Sequence, residues 1–384
     1  MRKYIWIYIF SVIVVFTACF PAGNNQSGSR PESTDSVKVE FAQGFSIRKF
    51  GDISLLTVSD PWQGARNIRY HYVLSPRGAS IPPEFSGYPV IYTPVERIVC
   101  LSTTHIAMLS ALGKENSIKG ISGPDYISDP DIRQAVADGR IWDVGYDQAL
   151  NYERIITLKP DVIFAYGVGG EAAGSLSRLT DLGLKVVINA EYLEQTALAK
   201  AEWMKFMAMF YNSEEDAIRK FNGIRDEYLS LSALTRQAAT RPTVLCGLPW
   251  QGIWYIPGGK TSIAALIEDA GGDYLWKEND SRESIPLHIE GIINKSSNSD
   301  IWINTGAARS FPDIKSVDER LVHLKPFTTG MIYNNYARMG AGGGNDFFES
   351  GVVNPHMILK DMIRIFHPDL LPDHDLYYYM KLNN

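Results

Sequence analysis

The sequence predicts an α/β protein with two similar parallel-sheet lobes, joined by one long rigid helix, and a β-rich N-terminal extension. Short apolar strands alternate with helices from Val95 to Lys360, which favours parallel α/β layers. A long helical stretch, roughly Leu193 to Gln237, interrupts the alternation. The halves on either side repeat one pattern, a helix that starts on a glutamate and then a strand that starts on an aspartate. The repeated pairs are Glu153 to Ile156 with Asp161 to Phe164, and Glu290 to Ile293 with Asp300 to Ile303.

Residues 1–19 have the pattern of a lipoprotein signal peptide. A short basic start precedes an apolar run from Tyr4 to Ala18, which is shorter than the roughly 20 residues that a membrane-spanning helix needs. The run ends at Cys19 in a segment that resembles a lipobox, where cleavage leaves a lipid-carrying cysteine at the N-terminus. The alternative is an uncleaved membrane anchor. Both interpretations place the remaining chain outside the cytoplasmic membrane.

The rest of the chain divides into five predicted parts. Gly23 to Ser36 contains no aliphatic residue, which predicts a flexible tether because such a segment cannot bury apolar surface. Alternating apolar residues and Pro/Gly turns predict a β-rich segment after it. The predicted parts are a tether (20–36), a β-rich extension (37–93), an N-terminal lobe (94–190), an interlobe helical segment (191–238) and a C-terminal lobe (239–384).

Local patterns predict the individual elements of the lobes. In the first lobe we expect strands at Arg97 to Leu101, Ser117 to Ile121, Asp161 to Ala165 and Leu184 to Ile188, and helices at Thr103 to Leu112 and Asn151 to Leu158. The second lobe opens on a similar strand, Thr243 to Gly247. Because Cys100 and Cys246 occupy equivalent strands of different lobes, we expect two buried free thiols rather than a disulfide.

Composition narrows the class of partner. The chain is 45% hydrophobic and 21% charged, with a net charge of −6 and no Lys/Arg-rich run. These values are ordinary for a globular protein and argue against a nucleic-acid partner.

From about Val95 to the C-terminus, the chain resembles the periplasmic binding proteins for iron–siderophores, haem and cobalamin. The matching segments are Glu96 to Val99, Leu109 to Gly113, Ile118 to Ser122, Val144–Gly145, Asn151 to Asp161, Arg241 to Leu245, Gly258–Gly259, Ala270 to Gly272, Ile289–Glu290, Asp300, Leu359 to Asp361 and Ile365 to Pro368. The resemblance implies a monomeric, non-enzymatic receptor that delivers a metal chelate to an ABC permease and ATPase complex, anchored by lipid at the outer face of the cytoplasmic membrane. It implies no intrinsic cofactor. The extension 37–93 lies outside the common pattern.

Candidate ligand-binding residues follow the predicted strands, because open α/β sheets bind ligands at the carboxyl ends of their strands. Aromatic side chains there suit a large ring or a ferric chelate, although each aromatic taken alone fits a core position equally well. Arg309 would suit an anionic ligand. A histidine or a tyrosine could ligate haem iron, and among the histidines His105, with His323 or His356 as alternatives, could reach the cleft. The candidates are Thr103, His105, Tyr126, Tyr146, Tyr166, Trp250, Trp254, Tyr255, Arg309 and Asn345, the last in a glycine-rich loop (340–345). No His or Cys spacing indicates a dedicated metal site, and none is assigned.

Two surface glutamates match the family's permease-docking positions, Glu153 and Glu290. Carboxylates on two lobes would let arginines of the permease bind the protein at two separate points. The alternative is that each glutamate only complements the dipole of its own helix.

Two other functions stay open from sequence. A secreted hydrolase or metalloenzyme would use the same cleft as an active site, with Asp125, Asp143 and Asp147 available as acids. A surface scaffold would use the extension as its interaction module.

Overall fold

The extension forms a four-stranded sheet of its own in the computed structural model, which describes residues 37–146, 149–167 and 177–383. Its strands are β1 (Phe45–Phe50), β2 (Ile53–Ser59), β3 (Arg69–Pro76) and β4 (Val90–Thr93). The first three are antiparallel neighbours, and β4 runs parallel to β3. One face of the sheet, including Leu56 and Tyr72, is buried in the core of the N-terminal lobe. The other face forms a small core of its own around Phe85.

The N-terminal lobe is built on a five-stranded, fully parallel sheet in the order β7-β6-β5-β8-β9. Its strands are β5 (Ile98–Cys100), β6 (Ile118–Ile121), β7 (Trp142–Asp143), β8 (Val162–Ala165) and β9 (Val186–Ile188). Its helices are α1 (Thr103–Leu112), α2 (Pro130–Ala137) and α3 (Tyr152–Leu158), and residues 177–181 are also helical. Gly113 ends α1 in the left-handed conformation, with φ of 68°, as its position after the helix predicts.

The interlobe segment contains two helices, α4 (Ala197–Ala208) and α5 (Glu214–Thr235). Asn212 separates them with a left-handed φ of 52°, and the helices pack against each other. With its 22 residues, α5 is the long joining helix, about 33 Å in length. Sequence periodicity alone missed the break. No helix among the described residues is both long and apolar enough to cross a membrane.

Both of these helices contribute to both lobes. Leu198, at the start of α4, lies in the C-terminal core and Phe206, near its end, lies in the N-terminal core. On α5 the order reverses, with Phe221 in the N-terminal core and Leu231 in the C-terminal core. The two helices therefore run in opposite directions between the lobes.

The C-terminal lobe has a second five-stranded sheet, in the order β12-β10-β14-β15-β16, with only β16 antiparallel. Its strands are β10 (Thr243–Cys246), β12 (Asp273–Tyr274), β14 (Ile301–Ile303), β15 (Ile332–Asn334) and β16 (Met380–Lys381), beside an antiparallel pair of β11 (Ile253–Pro257) and β13 (Ser284–His288). Its helices are α6 (Ser262–Asp269), α7 (Ile289–Ser296), α8 (Phe311–Val317), α9 (Lys325–Thr328) and α10 (Pro355–Phe366). The predicted two-lobed α/β fold is confirmed.

Residues 37–44, here called the strap, cross the helix pair before β1 begins. Glu202 of α4 is 0% exposed, and its carboxylate accepts the N–H groups of Glu40, Phe41 and Ala42 at 2.7–2.8 Å. Lys205 completes the site, with its Nζ 2.7 Å from Glu202. Since buried carboxylates are tolerated only when paired and hydrogen-bonded, this arrangement fixes the strap to α4.

A second buried carboxylate holds the end of the strap. Glu194 accepts hydrogen bonds from the N–H groups of Gln43 and Gly44 and from the indole N–H of Trp203. Phe41 packs against the cores of both lobes. The extension is therefore an integral part of the body, because it closes one core and spans the junction between the two.

Residues 338–350 of the C-terminal lobe, here called the clasp, contact the 124–129 turn of the N-terminal lobe. At Gly344 the backbones approach so closely that a Cβ atom would lie 1.9 Å from the carbonyl oxygen of Tyr126. Only glycine fits at such a close approach. The glycine-rich loop therefore lies at the edge of the cleft, as its sequence suggested.

Glu349 fastens the clasp with its carboxylate. It is 3% exposed and accepts the N–H groups of Ser128 at 2.7 Å and Asp129 at 3.0 Å. Burial raises the pKa of Glu349 to about 7, and the carboxylates of Asp346 and Asp129 add to the effect while the two backbone N–H donors oppose it. The contact between the lobes therefore contains a carboxyl group that titrates near neutral pH.

We expect Glu202→Gln to lower the free energy of unfolding by about 3 kcal/mol, because it removes the carboxylate that lies 2.7 Å from the buried ammonium of Lys205 and leaves that of Glu40 at 3.9 Å. The strap should also become accessible to protease. Chemical denaturation and limited proteolysis measure both effects. Glu278→Gln, at an exposed position, is the matched control. Equal stability of the two variants would contradict the structural role given to Glu202.

We expect the stability of the wild type to fall, relative to that of Glu349→Gln, as pH rises from about 4.5 to 7. In the folded protein the pKa of Glu349 is about 7, whereas that of an unperturbed glutamate is 4.5. Between these two pH values the unfolded state gives up the proton and the folded state keeps it, so a rise in pH stabilises the unfolded state relative to the folded one. The relative change should be about 1–3 kcal/mol. Thermal unfolding across this range measures it, with Glu319→Gln as an exposed control. A difference that does not vary with pH would show that Glu349 titrates normally.

Candidate functional site

A cavity of about 440 Å³ lies at the carboxyl ends of β10, β14 and β15 in the C-terminal lobe. The start of α4 forms another part of its wall, so the cavity reaches the junction with the N-terminal lobe. Its lining is mostly aromatic, aliphatic and amide side chains. The residues are Ala197, Lys200, Cys246, Gly247, Tyr255, Pro257, Ser262, Ile263, Leu266, Ser284, Asn304, Gly306, Asn335, Tyr336, Phe347, Phe348, Gly351, Val352 and Ile358.

Tyr255 is the predicted ligand-binding residue that lines this cavity, whereas the expectation for Trp254 needs correction. The two are neighbours on β11, where successive side chains point to opposite faces. Tyr255 is 50% exposed, while Trp254 is 0% exposed, and its indole N–H donates to the carbonyl of Cys246 at 3.1 Å. Only one of the pair could face the cleft, and Trp254 belongs to the core.

His105 is also a core residue rather than a ligand contact. It lies in the third position of α1 and is 0% exposed, with its ring packed edge-on against Phe164. Burial lowers the pKa of His105 to about 3, so the ring is neutral. The suggestion that it ligates haem iron is therefore wrong for this arrangement, because the ring does not reach the cleft.

Two predicted tyrosines form an exposed pair on the N-terminal side. Tyr126 follows β6 and Tyr146 follows β7; they are 48% and 52% exposed, and their ring centroids are 5.5 Å apart. Gly123 lies beneath them with φ of +62°, and a Cβ there would be 2.8 Å from the ring of Tyr146. Thr103 at the start of α1 and Tyr166 after β8 are both partly exposed at the same edge of the sheet.

The remaining predicted residues do not line the cavity. Trp250, 65% exposed, projects from the turn that its backbone closes with Ile253. Arg309 is exposed beside α8, and its N–H donates to Asp313. Asn345 accepts the N–H of Phe347 within the clasp, and its amide nitrogen has no hydrogen-bond partner among the described residues.

Sequence reasoning missed several residues that do line the cavity, above all Lys200, Asn304, Asn335, Tyr336 and Phe348. Lys200 looked like one more polar position of a long helix. Phe348 is 58% exposed and lies three residues beyond Asn345, the candidate in the glycine-rich loop. Two of these residues could have been found from their position in the sequence, because Asn304 and Asn335 directly follow the strands β14 and β15.

Cys100 and Cys246 are both buried free thiols, as predicted. They lie in the cores of different lobes. Burial raises the pKa of Cys246 to about 12, so the thiol that borders the cavity is protonated and a poor metal ligand. Cys19 lies outside the described residues.

Both candidate docking glutamates are exposed in the first turn of a helix, Glu153 in α3 and Glu290 in α7. They differ in their surroundings. Arg320 donates to Glu290 at 3.0 Å, and a hydrogen bond from the backbone, followed by this guanidinium, lowers the pKa of the Glu290 carboxyl.

Two of the three acids considered for an active site lie among the described residues. Asp143 accepts the N–H of Gly145 within its own turn, Asp125 is exposed beside the clasp, and Asp147 lies outside the described residues. No group of three or more His, Cys, Asp or Glu residues within the described ranges is placed to hold a metal ion.

Comparisons with known proteins agree with this architecture. The profile of the periplasmic binding protein family matches residues 98–323. A protein of Methanocaldococcus jannaschii, named only as a lipoprotein, is 27% identical over 305 residues, which cover 77% of this chain and 71% of that protein. A vitamin B12-binding protein of Salmonella typhimurium is 29% identical over 146 residues, 38% of this chain and 50% of the relative.

A solved structure shares the fold. The periplasmic heme-binding protein from Roseiflexus sp. RS-1 aligns with a TM-score of 0.55 and 19% identity, covering 72% of this chain and 99% of that one. The family profile spans more than half of the chain, including the sheet of the N-terminal lobe, the helices that join the lobes, and strands β10, β12 and β14 of the C-terminal sheet. The chain therefore belongs to the periplasmic binding protein family.

Proposed function

We propose that this protein is the substrate-binding component of an ABC importer, which captures a ferric siderophore, haem or cobalamin and delivers it to a membrane permease. The observation that carries the proposal is the aromatic-walled cavity of about 440 Å³ at the carboxyl ends of the strands. Its volume lies in the usual range for small-molecule sites. Relatives named for heme and vitamin B12 binding support this class of ligand.

The chemistry of the walls suits such a ligand. Tyr255, Phe347 and Phe348 offer flat apolar surfaces for a ring system or an apolar chelate. Asn304 and Asn335 offer amide groups that can orient polar substituents. The exposed Tyr126–Tyr146 pair on the other lobe would provide a further contact for a ligand larger than the cavity.

The same proposal places the protein at the outer face of the cytoplasmic membrane, as a monomer. Cys19 would carry the lipid and residues 20–36 would serve as the tether. The name of the M. jannaschii relative supports lipid anchoring. A secreted hydrolase or metalloenzyme remains the alternative from sequence, but the family match favours a receptor.

Titration of a soluble form that lacks residues 1–19 tests the proposal. Haem, cyanocobalamin and several ferric siderophores are added while tryptophan fluorescence is followed. We expect saturable quenching by one class. Tyr255→Ala should weaken that binding by about tenfold or more, because it removes an aromatic wall.

Tyr88→Ala is the matched control, since it removes a partly exposed tyrosine from the turn before β4. We expect it to bind like the wild type. If no compound in the panel binds, the receptor proposal is wrong for these ligands. If Tyr255→Ala binds normally, the ligand occupies a different part of the molecule.

The docking proposal assigns Glu153 and Glu290 to the permease rather than to the ligand. We expect Glu153→Ala with Glu290→Ala to leave ligand affinity unchanged and to abolish uptake in cells that carry the cognate transporter. Each carboxylate lies on a different lobe, so each single variant should retain partial transport. Uptake at the wild-type rate by the double variant would exclude this docking mode.

A further inference from the structure

The charge of the candidate cavity is concentrated on one side chain. Among the described residues that line it, Lys200 is the one charged group; the others are apolar, hydroxyl, amide or thiol side chains. Lys200 lies in the first turns of α4 and is partly exposed to the cavity. Its ammonium has no hydrogen-bond partner and no carboxylate within 4 Å in the described part of the chain.

Glu191 and Glu194 act on the charge of Lys200, but neither carboxylate lies within 4 Å of its ammonium. Glu194 already accepts the N–H groups of Gln43, Gly44 and the Trp203 indole. Glu191 is 3% exposed, and burial raises the pKa of its carboxyl group. Burial also lowers the pKa of Lys200, an effect that these two carboxylates oppose from a distance. The ammonium therefore lacks a direct partner of opposite charge.

A helix terminus adds positive potential to the same wall. Ser262 and Ile263, the first two residues of α6, line the cavity. Helix α6 packs against α4, which carries Lys200. The side chain of Thr261 caps one N–H of the helix, that of Ala264. The amino end of a helix carries a partial positive charge and attracts anions.

We propose that Lys200, together with the amino end of α6, binds an anionic group of the ligand, a carboxylate in the first instance. This inference rests on the proposed function and narrows it to chelates that carry a free acidic substituent. The body of the chelate would lie against Tyr255 and Phe348, while its carboxylate pairs with Lys200.

The physical reason is the cost of an unpaired charge in an apolar site. An ammonium that loses water to a neutral ligand gains no partner of opposite charge. A carboxylate restores the balance through a charge-assisted hydrogen bond, which is stronger than a neutral one. The cavity should therefore discriminate between ligands that differ in a single acidic group.

Three pairs of compounds test the inference: haem and its dimethyl ester, the monocarboxylic acid of cyanocobalamin and cyanocobalamin itself, and ferric citrate and ferrichrome. We expect the wild type to prefer the anionic member of the pair that it binds by about tenfold or more. Lys200→Met should remove this preference, because the anionic member loses its partner of opposite charge and the neutral member no longer takes water from an ammonium, so that the first binds more weakly and the second more tightly. Lys200→Arg should restore it.

Lys315→Met, at an exposed lysine of α8, is the control for a loss of positive charge, and thermal unfolding shows that each variant is folded. Equal affinity of the wild type for both members of a pair overturns the inference and leaves the receptor proposal intact. The same holds if Lys200→Met weakens both members equally, because that pattern indicates a structural role. If the wild type binds none of the six compounds, both proposals fail.

Discussion

Both lobes bury parts of the same two helices, and this shared burial fixes where the cleft lies. Helix α4 enters the C-terminal core at Leu198 and the N-terminal core at Phe206. Helix α5 returns through both. Because protein cores are close-packed, the lobes cannot part widely without opening one of them. The strap reinforces the junction from outside, since Phe41 contacts both cores and Glu202 holds its backbone. Ligand capture should therefore involve small adjustments of the lobes.

The junction also determines the chemistry of the cavity. Helix α4 brings Lys200 to the carboxyl ends of the C-terminal strands, where no strand of that lobe supplies a charge. On the opposite side the clasp brings Phe347 and Phe348 to the same cavity. The hydrogen bonds of Glu349 hold the clasp against the N-terminal lobe, and Gly344 allows the close backbone contact there. The groups that line the cavity thus include two, on α4 and on the clasp, that are held in place by contacts between the lobes.

Local patterns predicted the fold well and the site only in part. Strand and helix periods revealed both sheets, and the search for residues that follow predicted strands selected Tyr126, Tyr146 and Tyr255. The register of β11 was not visible locally, so Trp254 and Tyr255 could not be told apart. His105 follows a strand, as a cleft residue should, but its place on α1 turns it into the core. Lys200 was not recognised because it reaches the cavity only through the packing of α4 against α6, two helices that are distant in the sequence.

A lone cation in an otherwise neutral cavity would act on selectivity mainly by penalising the wrong ligands. The apolar walls attract any flat or bulky chelate to a similar extent, because burial of apolar surface is not directional. Lys200 loses hydration whichever ligand arrives, and only an acidic substituent replaces the lost water with a partner of opposite charge. Discrimination of this kind is a difference between two binding free energies and needs an unfavourable contribution for the competitor. The aromatic walls would thus account for most of the affinity, while Lys200 would determine the selectivity between chelates of similar shape.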